Sequence, residues 1–220
     1  DNQRFLSLLP LSHSYEHTAG MHLPFQIKAE VWYCESTDQI ANNLVEVSPT
    51  LMTAVPRLYE VLHDRIMRGV RAKGGISEKL FMAAVKLGTK RYEGRRLLPH
   101  EVFINLLVDR LVRTKVRQRL GGKLNFFISG GAALNPEIGN FFMALGINLL
   151  QGYGQTESSP LISANRPNRI KIETVGPVVA GVDMRIADDG EILVRGDLLM
   201  KGYWRDEAAT AAAIRDGWLH

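Results

Sequence analysis

The segment Gln151-Gly152-Tyr153-Gly154-Gln155-Thr156-Glu157 gathers residue types suited to holding a nucleotide. Tyr153 offers a flat aromatic face on which a purine can stack. Gly152 and Gly154 let the backbone beside it turn sharply and come close to a ligand. Thr156 carries a hydroxyl for a phosphate oxygen, and Glu157 supplies the hard carboxylate oxygen that magnesium prefers. Chemistry alone leaves a second reading open, that of a plain glycine-rich turn. His13, His17 and His22 raise the question of a metal, since His13 and His17 share a face if their stretch is helical. Zinc wants three or four ligands, and the single cysteine, Cys34, completes no set. Neither a Gly-x4-Gly-Lys-Ser/Thr loop nor a Gly-x-Gly-x-x-Gly fingerprint occurs, so P-loop and Rossmann readings lack their signatures.

Such side chains need a scaffold that presents loops at strand ends. The apolar run from Phe5 to Leu11 reads as a buried strand closed by Pro10, and a helix follows from His17. Ile27 to Cys34 reads as another strand. Ser36-Thr37-Asp38 then offers an N-cap to a helix in which Ile40, Ala41, Leu44 and Val45 fall at helical spacing. Thr50 to Val55 is strand-like, and Pro56 opens a helix whose apolar stripe is Leu58, Val61, Leu62 and Ile66, broken at Gly74-Gly75. Ser77 caps a second helix, and a third runs from Glu101 to Arg119. Leu124 to Ile128 resumes the strand pattern, Pro136 opens a helix ending near Gly146, and Ile147 to Leu150 is the next strand.

Strands that are almost unbroken apolar runs, alternating with helices, predict a mostly parallel sheet flanked by helices with ligands at the strands' carboxyl ends. The rhythm then changes. Val182, Met184 and Ile186 alternate with Asp183 and Arg185, Asp189-Gly190 makes a turn, and Glu191 to Arg195 returns as an antiparallel strand. The expected fold is α/β, with an α/β subdomain over residues 1–165 followed by a smaller, partial antiparallel β subdomain over 166–220.

Charge is unevenly spread. Residues 57–123 hold 17 Lys/Arg against 6 Asp/Glu, a net +11, while the remainder carries −7. Solvated helix faces are the plain reading, and a surface drawn to anionic lipid or to a polyanion such as coenzyme A is the sharper one. One cysteine excludes an internal disulfide and fits a reducing compartment, and no run of apolar residues is long enough to span a bilayer. The expected location is cytoplasmic, with peripheral membrane association through the basic helical section.

Five segments in chain order resemble the motifs of AMP-forming acyl-CoA synthetases of the adenylate-forming superfamily. They are Leu9-Pro10-Leu11-Ser12-His13, Ser129-Gly130-Gly131-Ala132-Ala133-Leu134, the Tyr153-Gly154-Gln155-Thr156-Glu157 run, Gly190 to Gly196 continuing to Gly202-Tyr203-Trp204, and Asp216-Gly217-Trp218-Leu219-His220. The long basic section between Val55-Pro56-Arg57 and the Ser-Gly-Gly loop is similar to that of long-chain fatty acyl-CoA ligases. One departure is Glu16, which follows Tyr15 where many relatives carry Gly, although long-chain ligases often show Glu there.

The resemblance implies ATP, AMP, Mg2+ and coenzyme A as ligands and a fatty acid as substrate. It implies that Tyr153 stacks on adenine, that Gly131, Ala132, Gln151, Gly152 and Gly154 line the nucleotide and acyl pocket, and that Thr156 handles phosphate with Glu157 as the magnesium ligand. His13 would stand beside the reacting carboxylate and phosphate, where a donor offsets repulsion between two anions. The family's phosphate-binding loop would precede Asp1, and its ribose-binding Asp and C-terminal lysine would follow His220, so the 220 residues alone are expected to be inactive. Two readings compete with a coenzyme A ligase. One hands the acyl group to a carrier protein, and the other is a non-catalytic basic adaptor for membrane or nucleic acid. Nucleic acid is not expected.

Overall fold

Alternating apolar strands and helices wind into two sheets with separate cores. The structure, a computed structural model, describes residues 3–220. Strand β1 (Arg4–Ser7) leads to a helical stretch made of α1 (Ser14–Glu16), a π-helical turn (His17–His22) and α2 (Leu23–Gln26). Next come β2 (Glu30–Tyr33), α3 (Ile40–Val47) and β3 (Leu51–Ala54). The basic section forms α4 (Pro56–Lys73), α5 (Gly75–Tyr92), α6 (Pro99–Val108), a π turn (Asp109–Arg113) and α7 (Thr114–Arg119). Then follow β4 (Phe126–Ser129), α8 (Pro136–Ala144), β5 (Asn148–Tyr153) and β6 (Ser163–Ala164).

These strands form one sheet in the order β2-β1-β3-β4-β5-β6, parallel throughout except for β6. Met52, Phe127 and Leu149 from its centre pack with Tyr59, Phe142 and Leu44 from the covering helices. The second sheet, antiparallel in the order β7-β8-β10-β9, comprises β7 (Val182–Ile186), β8 (Ile192–Gly196), β9 (Ile214–Arg215) and β10 (Trp218–Leu219), with α9 (Glu207–Ala213) before β9. Its core is Ile162, Val194 and Leu219. The mostly parallel sheet, its flanking helices and the small antiparallel sheet are as the sequence predicts.

Several boundaries differ for identifiable reasons. The first strand ends at Ser7 rather than Leu11, because the chain turns at Pro10, whose carbonyl accepts the His13 N–H at 2.9 Å. Helix begins at Ser14 rather than His17, capped by the His13 side chain. Helix α3 has Gln39 at its cap position with no side-chain bond, and Ser36 instead accepts the Gln39 N–H through Oγ at 3.3 Å. Helix α5 starts at Gly75, two residues ahead of Ser77, because Gly74 at φ +56° already redirects the chain. Val61 is 37% exposed and leaves the α4 stripe to Leu58, Leu62 and Ile66. Met184 and Ile186 alternate along β7 as expected, yet both are exposed.

Candidate active site

Strand β5 does not stop at Leu150 but continues through Gln151-Gly152 to Tyr153, held by β4 on one side and β6 on the other. Gly152 and Gly154 therefore serve close packing rather than a sharp turn. A Cβ on Gly154 would lie 1.6 Å from the Pro160 carbonyl oxygen, so only hydrogen fits there. Because β4 and β5 are parallel neighbours with Ser129 opposite Gln151, the Gly130 and Tyr153 loops leave the same carboxyl edge side by side. This is where a parallel sheet offers a ligand crevice. Tyr153 is half-buried and packs in part on the second core.

The buried Gln151 does not offer its own amide to a ligand. Its Oε1 accepts the Leu134 N–H at 3.2 Å, and its Nε2 donates to the Ile172 carbonyl. Gln151 thus fixes the loop that carries Gly131 and Ala132, which are themselves exposed at the edge. Gly131 sits at φ +83°, a left-handed conformation that glycine adopts without strain.

The third loop arrives from β1. Tyr15 lies beneath Gly130, with its hydroxyl donating to the Ile128 carbonyl at 3.0 Å, and burial pushes its pKa well above the phenol range. Glu16 is fully buried and accepts from Ser7 Oγ at 2.6 Å and from Thr53 Oγ1 at 2.7 Å. These bonds clamp the loop onto β1 and β3. His13 accepts the Tyr15 N–H through Nδ1 at 3.2 Å. A neutral His13 must then carry its proton on Nε2, leaving that N–H free to donate at an exposed position. His17 and His22 bond to each other through Nε2 at 3.0 Å, away from the role given to His13.

Contact between the loops is direct. Ser14 Oγ lies 3.2 Å from Thr156 Oγ1, bringing the histidine loop to the segment after β5. Thr156 and Glu157 occupy a single 3-10 turn (Thr156–Ser158). Glu157 Oε1 accepts the Tyr203 hydroxyl at 2.8 Å, and the Glu157 carbonyl accepts the Met200 N–H at 2.8 Å. The carboxylate in turn holds the Tyr203 hydroxyl above the ordinary phenol range. Tyr203, Ser14 and Tyr15 were missed as site residues by sequence reasoning. The Gly202-Tyr203 pair carried a signal for the first, but only the fold shows which carboxylate it meets.

The family model described as AMP-binding enzyme matches residues 1–204. The chain belongs to the AMP-binding enzyme family. Among curated relatives of this AMP-binding chain, the long-chain-fatty-acid–CoA ligase FadD15 of Mycobacterium bovis is 35% identical over 99% of the chain and 36% of the relative. The peroxisomal long chain acyl-CoA synthetase 6 of Arabidopsis thaliana is 31% identical over 98% of the chain and 32% of the relative. The chain thus spans about a third of the length of these relatives. A benzoate CoA ligase from Burkholderia xenovorans superposes with a TM-score of 0.67 at 22% identity, covering 99% of the chain and 38% of that structure. The N-terminal domain of FACL13 from Mycobacterium tuberculosis gives 0.66 at 18% identity, over 100% and 47% respectively. At these identities the superpositions show the fold of the AMP-binding chain.

Proposed function

We propose that this chain forms the adenylate-binding and acyl-binding wall of an AMP-forming long-chain fatty acid–CoA ligase. The observation that carries the reading is the 3.2 Å contact between Ser14 and Thr156, which joins the His13 loop to the Tyr153 loop at one sheet edge. The printed names of the FadD15 and Arabidopsis relatives support a long-chain fatty acid as the substrate.

In this reading Tyr153 stacks on the adenine, and Gly131, Ala132, Gly152 and Gly154 line the pocket, with Gln151 holding their loops in place. Thr156 donates its hydroxyl to a phosphate oxygen. His13 donates from Nε2 where the fatty carboxylate meets the α-phosphate, easing the approach of two anions. A carboxylate oxygen forms the new bond to the α-phosphorus as pyrophosphate leaves. The thiol of coenzyme A then attacks the acyl carbon and releases AMP. The chain supplies positioning and charge stabilisation rather than a nucleophile.

Glu157 fits magnesium, since its carboxylate stands on a half-exposed turn beside the Thr156 hydroxyl and offers hard oxygen. Magnesium when bound would offset phosphate charge. Calorimetry of the chain with an acyl-sulfamoyl-adenosine analogue tests the reading. Tyr153→Ala should weaken binding by about tenfold, the scale of one lost base–aromatic stack. Equal affinity of the two proteins would count against the assignment.

A further inference from the structure

The chain between β1 and the π turn leaves the first sheet and returns to it, and one side chain closes the base of the loop so formed. Glu16 reaches back over nine positions to Ser7, the last residue of β1, and accepts its hydroxyl at 2.6 Å. Its second oxygen accepts Thr53 Oγ1 on β3 at 2.7 Å. His13 lies inside the closed loop. The π turn that follows is shaped around the carboxyl: it packs on β1 and β3, and a Cβ on its buried Gly20 would fall 2.4 Å from Glu16 Oε1 and 2.5 Å from Cδ. A methyl group at Gly20 would have to displace the carboxyl. Ser7, Glu16, Gly20 and Thr53 are all buried by residues of this chain, and no ion pair reaches Glu16 among the described residues.

Burying a carboxyl with no cation beside it is unfavourable, and an apolar side chain of similar volume would fill the same space at less cost. What the carboxyl adds is direction. Its hydrogen bonds hold two strands and the returning loop at set distances, which packing alone does not. Neighbouring residues carry that order to the site. Tyr15, just before Glu16, lies beneath Gly130 and bonds to the Ile128 carbonyl at 3.0 Å. Ala54, just after Thr53, accepts the Gly130 N–H at 3.2 Å. Ser14, two residues before Glu16, meets Thr156 at 3.2 Å. One buried carboxyl therefore underlies both the His13 loop and the Gly130 loop.

We propose that Glu16 is a positioning residue for acyl-adenylate formation: by closing the base of the His13 loop it sets where His13 and Ser14 stand against Thr156. Being fully buried, it acts through the loop and not by contact with substrate. The inference rests on the ligase reading and adds one requirement to it, that a polar bridge and not packing alone hold the His13 loop.

The test is fatty-acid-dependent exchange of pyrophosphate into ATP by the full-length enzyme that contains this chain. Glu16→Ala should lower kcat by about tenfold, the scale of a small misplacement of reacting groups, with the KM for ATP and for the fatty acid within about twofold of wild type. Glu16→Gln keeps the shape and one acceptor oxygen, and one hydroxyl can turn to accept from its amide, so it should recover most of the rate. The double variant Glu16→Ala, Gly20→Ala separates packing from positioning. Its new methyl enters the space that the carboxyl vacated, so the urea midpoint should rise above that of Glu16→Ala while kcat stays low. Recovery of kcat together with the midpoint overturns the proposal, as does a Glu16→Ala enzyme whose kcat stays within about twofold of wild type or whose loss lies only in KM. A wild-type enzyme without exchange would overturn the ligase reading and this inference with it, a result told apart by the wild-type rate alone.

Discussion

Glu16 is a carboxyl buried against hydroxyls rather than against a cation. Burial raises its pKa above the ordinary carboxylate range, a push that the Ser7 and Thr53 hydroxyls and the Leu8 backbone only partly oppose. The folded chain therefore holds this proton more tightly than the unfolded chain. The stability linked to the group is fully present below the unfolded pKa and is lost as pH rises through the folded one. Glu16→Gln should flatten that part of the profile, and denaturant midpoints taken from acidic to neutral pH will show it. An unchanged slope would remove Glu16 as the source. At the same scale, Glu157 is held by Tyr203, and the proposed reaction gives this carboxylate the magnesium. Glu157→Ala should abolish any magnesium-dependent gain in ATP affinity, whereas Tyr203→Phe should lessen it, as calorimetry with and without the metal would reveal.

Helices α5 and α8 meet so closely that their backbones touch at Gly88. A Cβ there would fall 1.9 Å from the Ala144 carbonyl oxygen, and backbone cannot step aside as a flexible side chain can. Gly88→Ala should destabilise the chain by about 3 kcal/mol, read from the urea midpoint. A shift of under about 1 kcal/mol would mean that the helices separate freely. Periodicity marked α5 as a helix, but an isolated glycine in a helical pattern does not announce its partner. Strand β5 makes a similar point: its last residues look like a turn because glycine is rare in strands, while two flanking strands in fact hold them extended.

Across the molecule, one buried arginine joins three helices. Arg113 is 2% exposed and donates to the carbonyls of Ala84 at 2.6 Å and Ala144 at 2.9 Å and to Asn105 Oδ1 at 2.9 Å, linking α5, α8 and α6. Arg113→Ala would remove three buried hydrogen bonds at once and should cost about 3–5 kcal/mol. It should also loosen the α6 platform, which hydrogen exchange of α6 amides would report as faster opening; exchange unchanged in α6 would confine the damage to α5 and α8. The Glu157–Tyr203 and Glu157–Met200 bonds likewise tie the site to the segment that follows β8 of the second sheet.

The sequence by itself determined the alternation of strands and helices, the change to a two-residue rhythm at Val182, and the glycine-flanked Tyr153 with Thr156 and Glu157 after it. These depend on local periodicity and on residue chemistry, both carried by neighbours in the chain. Tertiary structure alone decided that Ser14 meets Thr156 across 142 positions, that Tyr203 takes Glu157, that Gln151 turns inward to brace a loop, and that Arg113 reaches carbonyls of two other helices. Each of those depends on which surfaces come together when the sheet closes, and spacing along the chain holds no record of a distance through space.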